Sequence, residues 1–493
     1  MTRYILTRLV KSILSILIVV SLVVGIVYKL VPISRIFLQD DAYKKMKGNP
    51  KIVYMYEKME NLGYLDFMTQ AEMCAAKSGK SGCAEAGSEE QKRVAEELKK
   101  DGYTIKVLDE PGEGNGAMVA YKEYSALQLV GKFFSNLIVV DNKNFIQDPK
   151  NPDLERGYRI EKGPNGIPAV ACSGCKYKYQ LYIDGKFPFI HQNKFKLNFG
   201  ESFPSNQGVA TLDVIGVGQG PLVNREQTFP TGEVLKSPIN QYTLKYKSEI
   251  DHLDQKRFTD HYASGESVHE NPSMITTSYI FGVSSVILAY AIAIPAAVAM
   301  ARNKDRLIDR IGIGYINLTI SLPSLAFIFF IKYIGVAMGL PDKFPHLGFG
   351  NPISYILPII IMALLSTPSI MLWVRRYMVD QENADYVKFA KAKGLSKKEI
   401  SRRHILKNAI IPIVNGLPSS IIMAIGGAVL TETVFAIPGM GKMLPDAIQA
   451  SNNNMVITLT FIFSSLAVIS VFIGDLLMTV VDPRISLNVK KGE

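Results

Sequence analysis

Long stretches of this 493-residue chain lack charged residues altogether. A helix that crosses the apolar core of a bilayer needs about 20 mostly apolar residues. Six uncharged segments approach or exceed this length: Ser12–Tyr28, Met274–Ala301, Ile311–Ile331, Phe344–Val374, Asn408–Thr431 and Ala447–Gly474. Such a pattern excludes a soluble globular protein, a disordered chain and a secreted protein. It predicts a polytopic α-helical membrane protein.

Catalytic and nucleotide-binding motifs are also missing. The sequence has no G-x-x-x-x-G-K-[ST] phosphate loop, no G-x-S-x-G nucleophile elbow and no H-E-x-x-H pair. We therefore expect that the chain is not an enzyme and binds no nucleotide or other cofactor by itself. His252, His261 and His269 follow one another at intervals that fit no helix face. We predict that they form no metal site.

Cysteine is scarce, and all four cysteines lie within Val31–Pro272. Disulfides persist in oxidising compartments, so this segment is a candidate for exposure outside the cell. Cys74–Cys83 and Cys172–Cys175 are the simplest pairs, although four cysteines permit three connectivities. The Cys-x-x-Cys pair could instead be redox-active or bind a metal, but the other two cysteines are a poor second pair of zinc ligands.

Positive charge is concentrated beside the apolar segments. Val31–Pro272 holds 31 basic and 32 acidic residues, which leaves 24 basic and 12 acidic residues for the remainder. This distribution is typical of orientation signals and disfavours a nucleic-acid-binding protein. The loop Arg375–Lys407 has ten basic residues against four acidic ones. The positive-inside rule then predicts six crossings, cytoplasmic termini and an extracellular segment 32–272.

The expected organisation has four parts. Residues 1–31 form the N-terminal end and the first span, whose apolar stretch is longer than that of a typical signal peptide and lacks an A-x-A site. We therefore expect a retained anchor. Residues 32–272 form an α+β domain with a helix at Ser88–Lys100 and strands near Tyr177–Ile183 and Phe187–Ile190. Residues 273–483 carry the other five spans, and 484–493 form a cytoplasmic tail.

The loop between the fourth and fifth spans, 375–411, is the most informative part of the chain. Its pattern predicts a helix at about Gln381–Lys393 followed by a second short helix. The first helix has an apolar ridge of Tyr386, Phe389 and Ala390 and ends at Gly394. Ser396 and Glu399 then form a capping box at the start of the second helix. Simple attachment of basic residues to lipid is an alternative. A compact hairpin with a small-residue ridge favours docking into another protein.

The run Asp385–Pro412, DYVKFAKAKGLSKKEISRRHILKNAIIP, resembles the coupling loop of permease subunits of bacterial ABC importers. The resemblance is to the B-type subunit of oligopeptide and dipeptide permeases, although Lys388 and Phe389 replace the Glu and Ala of the generic loop. Four other runs resemble the same family in the same order: Arg3–Ile13, Leu197–Phe203, Leu430–Leu444 and Val480–Ile485. The long outer segment resembles the Ami-type subclass, which carries a large extracellular insertion.

This resemblance implies six transmembrane helices of the type I ABC-importer permease fold in a bacterial plasma membrane. It implies that the chain forms half of a pore for peptides together with a second homologous permease subunit. The other implied partners are two cytoplasmic ATPase subunits, which use ATP and Mg, and a lipid-anchored extracellular peptide-binding protein. The residues implied to couple to an ATPase are Asp385, Phe389, Ala390, Gly394, Leu395, Ser396, Glu399, Arg403, His404 and Asn408.

Ionisable residues within or beside the spans are further candidates. Glu432, flanked by Thr431 and Thr433 in a family-like run, is the candidate for the pore mouth. Lys332 and Asp475 are also candidates for a functional role. Both lie near span ends, so their side chains could instead simply extend towards the membrane surface.

Two other function classes are weighed against the importer. A secondary transporter would carry charges at the bilayer midplane, which the spans lack. A sensor would need a cytoplasmic output module, and we expect none after Val481.

Overall fold

The structure is a computed structural model, and the residues that it describes are 2–77, 83, 85, 87–108, 116–149, 152–163, 166–185, 189–229, 231–240, 244–258, 261, 265–424 and 429–481. The expected tail, 484–493, lies outside these residues. The chain divides into two compact units. The mixed unit comprises Val24–Pro272 and Ala450–Met455, and the helical unit comprises the remaining described residues.

The first half of the mixed unit is built around a three-stranded antiparallel sheet of order β1-β3-β2. Its buried core includes Met59, Leu65, Phe67 and Val119. The elements in chain order are α1 (Thr2–Leu30), which starts in the helical unit, α2 (Ile33–Ile36), α3 (Asp41–Lys45), α4 (Gly48–Asn61), β1 (Leu65–Met68), α5 (Gln70–Lys77), α6 (Glu89–Lys100), β2 (Thr104–Leu108) and β3 (Ala117–Glu123).

The second half of this unit contains a four-stranded antiparallel sheet of order β5-β6-β7-β8 and a separate ribbon of β4 with β9. The elements are α7 (Ala126–Leu137), β4 (Ile138–Val140), β5 (Gly157–Lys162), β6 (Pro168–Ser173), β7 (Tyr179–Ile183), β8 (Ile190–Gln192) and β9 (Phe195–Leu197).

The last part of the mixed unit is made of short paired strands, in which β10 pairs with β15, β11 with β12 and β13 with β14. The elements are α8 (Thr211–Gly216), β10 (Gly218–Leu222), β11 (Arg225–Thr228), β12 (Val234–Ser237), β13 (Ile239–Asn240), a 3₁₀ turn (Asp254–Lys256), β14 (Glu266–Ser267) and β15 (His269–Ser273).

Local sequence signals located several of these elements. The helix predicted at Ser88–Lys100 is confirmed as α6, and the Ser88 hydroxyl accepts a hydrogen bond from the Gln91 N–H at 3.1 Å. The strand predicted at Tyr177–Ile183 begins two residues later, at Tyr179. The strand predicted at Phe187–Ile190 is misplaced, since β8 begins only at Ile190, and residues 187 and 188 lie outside the described residues.

The structure joins the four cysteines as Cys74–Cys83 and Cys172–Cys175. The first bond lies in a buried cluster with Met73, Val94 and Leu98. The second closes the turn after β6, where Gly174 has φ +85° and a side chain would collide with the Lys143 carbonyl. Only glycine fits this turn, because the backbone is left-handed and the space is filled.

Three successive asparagines tie the start of the last helix into the mixed unit. Asn452 donates to the Ser202 hydroxyl at 2.8 Å, and Asn453 donates to the Tyr64 hydroxyl. Asn454 accepts from the Tyr28 hydroxyl at 2.7 Å and donates to the Glu201 carbonyl at 2.9 Å. All three side chains are buried. The end of α1 and the residues before the last helix are therefore fixed within the same unit.

The helical unit contains the remaining helices, of which α9 and α12 pack most extensively. They are α9 (Met274–Arg302), α10 (Leu307–Ser321), α11 (Ser324–Ala337), α12 (Ile353–Gln381), α13 (Asp385–Ala392), α14 (Lys397–Glu399) with a π-helical continuation (Ile400–Ile405), α15 (Leu406–Ala409), α16 (Ile411–Met423), α17 (Val429–Phe435), α18 (Met440–Gln449) and α19 (Asn453–Val481).

Among the residues that the structure describes, four helices are long and apolar enough to cross a membrane: the Leu6–Leu30 part of α1, α9, α12 and the Asn453–Leu477 part of α19. The third and fifth predicted spans are not single straight helices. Between α10 and α11 the chain bends by 115°, and at Ala409–Ile411 it bends by 56°. Leu322-Pro323 lies at the first bend and Pro412 follows the second, in keeping with the loss of a backbone donor at proline.

Candidate functional site

The predicted hairpin between α12 and α16 is present, but its first helix is shorter than expected. The helix α12 continues to Gln381, and α13 begins at Asp385 rather than at Gln381. The expectation placed the boundary too early because α12 extends seven residues beyond the uncharged segment that ends at Val374.

A glycine turn ends α13. The Gly394 N–H donates to the Lys391 carbonyl and the Leu395 N–H donates to the Ala390 carbonyl, at 3.0 and 3.3 Å. This pair of bonds is a Schellman motif, which requires a left-handed residue, and Gly394 has φ +78°. The sequence interpretation of Gly394 as the end of the helix is correct.

Ser396 starts the second half of the hairpin. Its hydroxyl accepts a hydrogen bond from the Glu399 N–H at 3.2 Å, so it caps α14 as expected. Instead of returning to cap the helix, the Glu399 carboxylate pairs with Arg403 at 3.0 Å. The backbone then widens into the π-helical stretch and tightens again in α15. This change of pitch rotates the side chains that follow, so a regular helical pattern cannot place Arg403, His404 and Asn408.

The inner face of the hairpin is packed on the ends of α9 and α12. Val387 and Ala390 from α13 are buried in one cluster with hairpin residues and residues of the two long helices. The buried members are Ala293, Ala297, Met300, Ala301, Ile316, Met371, Val374, Met378, Val387, Ala390, Ile400, Ile405 and Ala409. The hairpin is therefore part of the hydrophobic core of the helical unit.

The apolar ridge was assigned partly to the wrong residue. Ala390 is buried as expected, but Phe389 is 70% exposed and Val387 takes the place expected for it. Tyr386 is half-buried, and its hydroxyl donates to the Gln381 side chain at 2.7 Å. Because α13 is only eight residues long, a shift of two positions decides which side faces the core. The hairpin thus presents a bare aromatic ring to solvent.

The outer surface of the hairpin is basic and polar. Of the residues implied to couple, those exposed are Asp385, Phe389, Gly394, Ser396 and Arg403, and those half-buried are Leu395, Glu399, His404 and Asn408. The exposed ion pair of Lys388 with Asp385, at 2.9 Å, contributes little to stability. The outer surface therefore combines the exposed Phe389 ring with several exposed basic side chains.

A buried ion pair anchors the root of the hairpin, and the sequence interpretation missed it. Arg375 near the end of α12 donates two hydrogen bonds to Asp309 of α10, at 2.6 and 2.7 Å. Asp309 is fully buried and also accepts the Asp305 N–H at 2.9 Å. The basic segment 302–310 contains two acids, Asp305 and Asp309, and its sequence does not indicate which of them is buried with a cationic partner.

A second polar site surrounds Glu432 in α17. Its carboxylate accepts hydrogen bonds from the Ser278 hydroxyl of α9 and from the Lys442 N–H of α18, both at 2.8 Å. The Ser278 hydroxyl in turn accepts the Met440 N–H at 2.7 Å. A side chain at Gly439 would collide with the Glu432 carboxylate, so a larger residue at this position would displace the carboxylate from its present place. Glu432 therefore joins three helices.

Glu432 and Thr431 are buried within the helical unit, and Thr433 is exposed. Their place at a pore mouth stays a prediction. Lys332 is buried rather than extended towards a membrane surface: its ammonium donates to the Val434 carbonyl at 3.1 Å and lies over the Phe435 ring. Within the helical unit, Asp475 pairs with Arg8. These charges brace helices against one another.

Comparison with known proteins assigns this arrangement to a family. The family model for the binding-protein-dependent transport system inner membrane component matches residues 293–487, which include the hairpin and Glu432. The oligopeptide transport system permease protein AmiC of Streptococcus pneumoniae is 41% identical over 503 residues, covering 100% of both chains. The dipeptide transport system permease protein DppB of Lactococcus lactis is 30% identical over 215 residues, covering 43% of this chain and 70% of its own.

A solved structure showing inward-facing conformations of the MetNI methionine ABC transporter covers 42% of this chain and 94% of its own, with 15% identity and a TM-score of 0.32. The assignment rests on the full-length relative. The chain belongs to the family of binding-protein-dependent transport system inner membrane components and is an oligopeptide-permease homologue of the ABC-importer type.

Proposed function

We propose that the chain is a membrane-spanning subunit of an ATP-driven importer of oligopeptides and forms half of its pore. The full-length similarity to a protein named as an oligopeptide transport permease supports the substrate class. A second homologous permease subunit forms the other half. Two cytoplasmic ATPase subunits supply the energy and use ATP and Mg, and this chain binds no cofactor of its own.

The proposed membrane arrangement has six crossings, in which each bent helix pair counts as one. Among the described residues, four helices of sufficient length and two bent helix pairs support this number. We assign residues 1–31 to the N-terminal end and first span, 32–272 to an extracellular domain, 273–483 to the other five spans with the coupling loop 375–411, and 484–493 to a cytoplasmic tail. The basic loop 375–407 supports a cytoplasmic position for the hairpin and for both termini. The protein would lie in the bacterial plasma membrane.

The hairpin, residues 385–407, is the proposed attachment point for an ATPase. The observation that carries this proposal is its two-sided construction: Val387 and Ala390 are buried against α9 and α12, while Phe389 is bare. A partner that moves the hairpin therefore moves the long helices with it. ATP binding by the partners would favour one of two states of the pore, since a ligand shifts an equilibrium only through differential affinity.

Peptide would be delivered by a lipid-anchored extracellular peptide-binding protein. The mixed unit is the proposed part of this chain on the extracellular side, and its two disulfides are compatible with an oxidising compartment. Glu432, Thr431 and Thr433 are the proposed pore-mouth residues, and the hydrogen bonds of Glu432 to α9 and α18 would hold the helices together there.

Accessibility of introduced cysteines tests the arrangement. Lys391→Cys places a thiol on the exposed side of the hairpin, and Glu226→Cys places one on β11 of the mixed unit. In intact cells, a membrane-impermeant maleimide should label only the Glu226→Cys protein. Lys391→Cys should react only after permeabilisation. Labelling of Lys391→Cys in intact cells would reject the proposed orientation.

Transport measurements test the activity. Cells that carry the intact chain with its partner subunits should take up a labelled peptide of a few residues, and cells without the chain should not. The same complex in proteoliposomes should transport only when hydrolysable ATP is present on the hairpin side. Uptake that continues without ATP and follows an ion gradient would instead identify a secondary transporter.

A further inference from the structure

Two separate apolar clusters lie in the core of the helical unit, and the two halves of the third predicted span belong to different ones. The cluster that includes the hairpin also contains Ile316 of α10, together with residues of α9 and α12. The second cluster contains Ile328 of α11 and Phe435 of α17, again with residues of α9 and α12. Since the chain bends by 115° between α10 and α11, these two helices are attached to different parts of the core.

Polar contacts join α10 to α12 at two levels. Arg375 donates two hydrogen bonds to the Asp309 carboxylate, at 2.6 and 2.7 Å. Further along α10, the Tyr315 hydroxyl donates to the Leu364 carbonyl at 2.9 Å. Hydrogen bonds weaken steeply when their angle changes, whereas the hydrophobic effect has no direction. The polar contacts therefore fix the position of α10 along α12, which the apolar contacts alone would leave free to shift.

The Asp309 carboxylate also orders the connection between α9 and α10. It accepts the Asp305 N–H at 2.9 Å, and Asp305 has a left-handed φ of +64°. At the end of α9, the Asn303 side chain donates to the Ala299 carbonyl at 2.8 Å. Asp309 is fully buried. One buried carboxylate thus connects the loop after α9, the first turn of α10 and the last part of α12.

A buried ion pair is a costly way to stabilise a core. The cost of taking two charges out of water can exceed their mutual attraction, and apolar residues of similar volume often give equal or greater stability. What a guanidinium and a carboxylate add is a defined relative orientation, because their two parallel hydrogen bonds form in one geometry. From Arg375 the helix α12 continues to Gln381, and the hairpin follows. The ion pair is therefore placed to set the position of α10 relative to the hairpin.

We propose that Asp309 and Arg375 are positioning residues that make α10 move together with the hairpin. The proposal rests on the proposed function of the hairpin as the attachment point for an ATPase. With the ion pair intact, a movement imposed on the hairpin reaches α9, α12 and α10 at once, and the break between α10 and α11 takes up the difference. Without it, α10 would lag behind, so that ATP would be hydrolysed with less peptide carried across.

The number of peptide molecules taken up for each ATP hydrolysed tests this role in proteoliposomes that contain the complete transporter. Asp309→Asn removes the charge at nearly constant volume, and Arg375→Lys keeps a charge but loses the paired hydrogen bonds. Both variants should lower the ratio several-fold while ATPase subunits still co-purify. Arg376→Ala, at an exposed neighbouring position, is the control and should keep the ratio. If uptake and ATP hydrolysis fall in proportion, the pair has only a structural role and the proposal is wrong, because unfolded copies do neither.

Distances within the full chain test the pair without any partner. Spin labels on Ile311→Cys of α10 and Lys391→Cys of the hairpin, both at exposed positions, report whether the two elements keep one arrangement in nanodiscs. Their distance distribution should be narrow with Asp309 and clearly broader with Asp309→Asn. Leu372→Cys of α12 with Lys391→Cys is the matched control and should stay narrow in both. Equal widths for the α10 pair in both backgrounds would overturn the proposal. A chain that shows the expected widths but takes up no peptide with its partners would instead contradict the proposed function.

Discussion

Two short helices of the helical unit, α13 and α17, end in the same backbone motif but for different reasons. In α13 the left-handed residue of the motif is Gly394. The N–H groups of Gly394 and Leu395 donate hydrogen bonds to the carbonyls of Lys391 and Ala390. Glycine adopts the required left-handed conformation without steric cost. The turn in the hairpin is therefore specified by the residue that occupies it.

In α17 the corresponding position is Ala436, which has φ +55°. The Ile437 N–H donates to the Glu432 carbonyl and the Ala436 N–H donates to the Thr433 carbonyl, at 2.8 and 3.3 Å. An alanine in this conformation costs about 1–2 kcal/mol. Contacts with other segments stabilise this conformation. The Glu432 carboxylate accepts hydrogen bonds from Ser278 and Lys442, and the Phe344 N–H donates to the Phe435 carbonyl.

The comparison separates a turn encoded locally from a turn imposed by buried contacts. The hairpin turn is specified by its own residues, and the outer surface of the hairpin is exposed in this chain. The segment 429–449 depends on a polar network, since three buried hydrogen-bonding groups meet at one carboxylate and one hydroxyl. Substitutions should therefore affect the two regions in different ways.

Removal of the Glu432 carboxylate should have the largest effect. Glu432→Ala leaves the Ser278 hydroxyl and the Lys442 N–H without their acceptor inside the protein, at a cost of about 1–3 kcal/mol for each group. Thermal unfolding of the full chain purified in detergent should show a strongly lowered midpoint. Glu432→Gln keeps an acceptor for Lys442 and should lose much less. Equal losses for the two variants would show that volume, not hydrogen bonding, matters at this site.

Arg375→Ala should rank second and would show that the hairpin is not held by local signals alone. It leaves the fully buried Asp309 without its cation, and breaking one partner of a buried ion pair typically costs about 3–5 kcal/mol, here reduced because the Arg375 side chain is 20% exposed. Arg376→Ala, which removes an exposed neighbour, is the control and should be nearly neutral. The double variant Asp309→Ala/Arg375→Ala should lose less unfolding free energy than the two single variants lose together. Strict additivity would contradict coupling between the two residues.

Exchanging residues at the two helix ends tests the comparison directly. Gly394→Ala should destabilise the full chain by about 1–2 kcal/mol, because alanine is strained in the left-handed region. Ala436→Gly should stabilise it by up to about 1 kcal/mol, since it relieves the same strain and offsets part of the gain with added freedom of the unfolded chain. Gly416→Ala, in α16 with open space around it, controls for added volume. If both exchanges lower the unfolding midpoint, the two turns are not equivalent.

Sequence patterns located much of the fold. Runs without charge identified the long helices, because an apolar segment of that length has few other stable environments. The end of α13 and the start of α14 could be predicted from Gly394 and Ser396, since both act within a few residues of chain. The angles of the bends in the third and fifth spans, 115° and 56°, could not be predicted, because proline marks where a helix breaks but does not set the angle.

The polar contacts of the candidate site could not be predicted from the sequence. Asp309 and Arg375 are 66 residues apart, and Glu432 and Ser278 are 154 apart. Nothing in the local pattern of either pair identifies the other member. The exposed position of Phe389 was missed for a different reason: an eight-residue helix contains too few turns for its periodicity to decide between neighbouring faces.

Phe389→Ala should have the smallest effect on stability and the most selective effect on assembly. The ring is 70% exposed, and substitutions at such positions usually change the free energy of unfolding by less than about 0.5 kcal/mol. Exposed aromatic residues are common anchors of protein interfaces, so the variant should lose co-purification with an ATPase subunit while its unfolding midpoint is unchanged. Lys391→Ala, also exposed on α13, is the control and should retain the partner. If Phe389→Ala retains its ATPase as well as the control does, the hairpin's bare ring is not the anchor of that interface, and the contrast between a free surface at α13 and a closed network at α17 has no functional meaning.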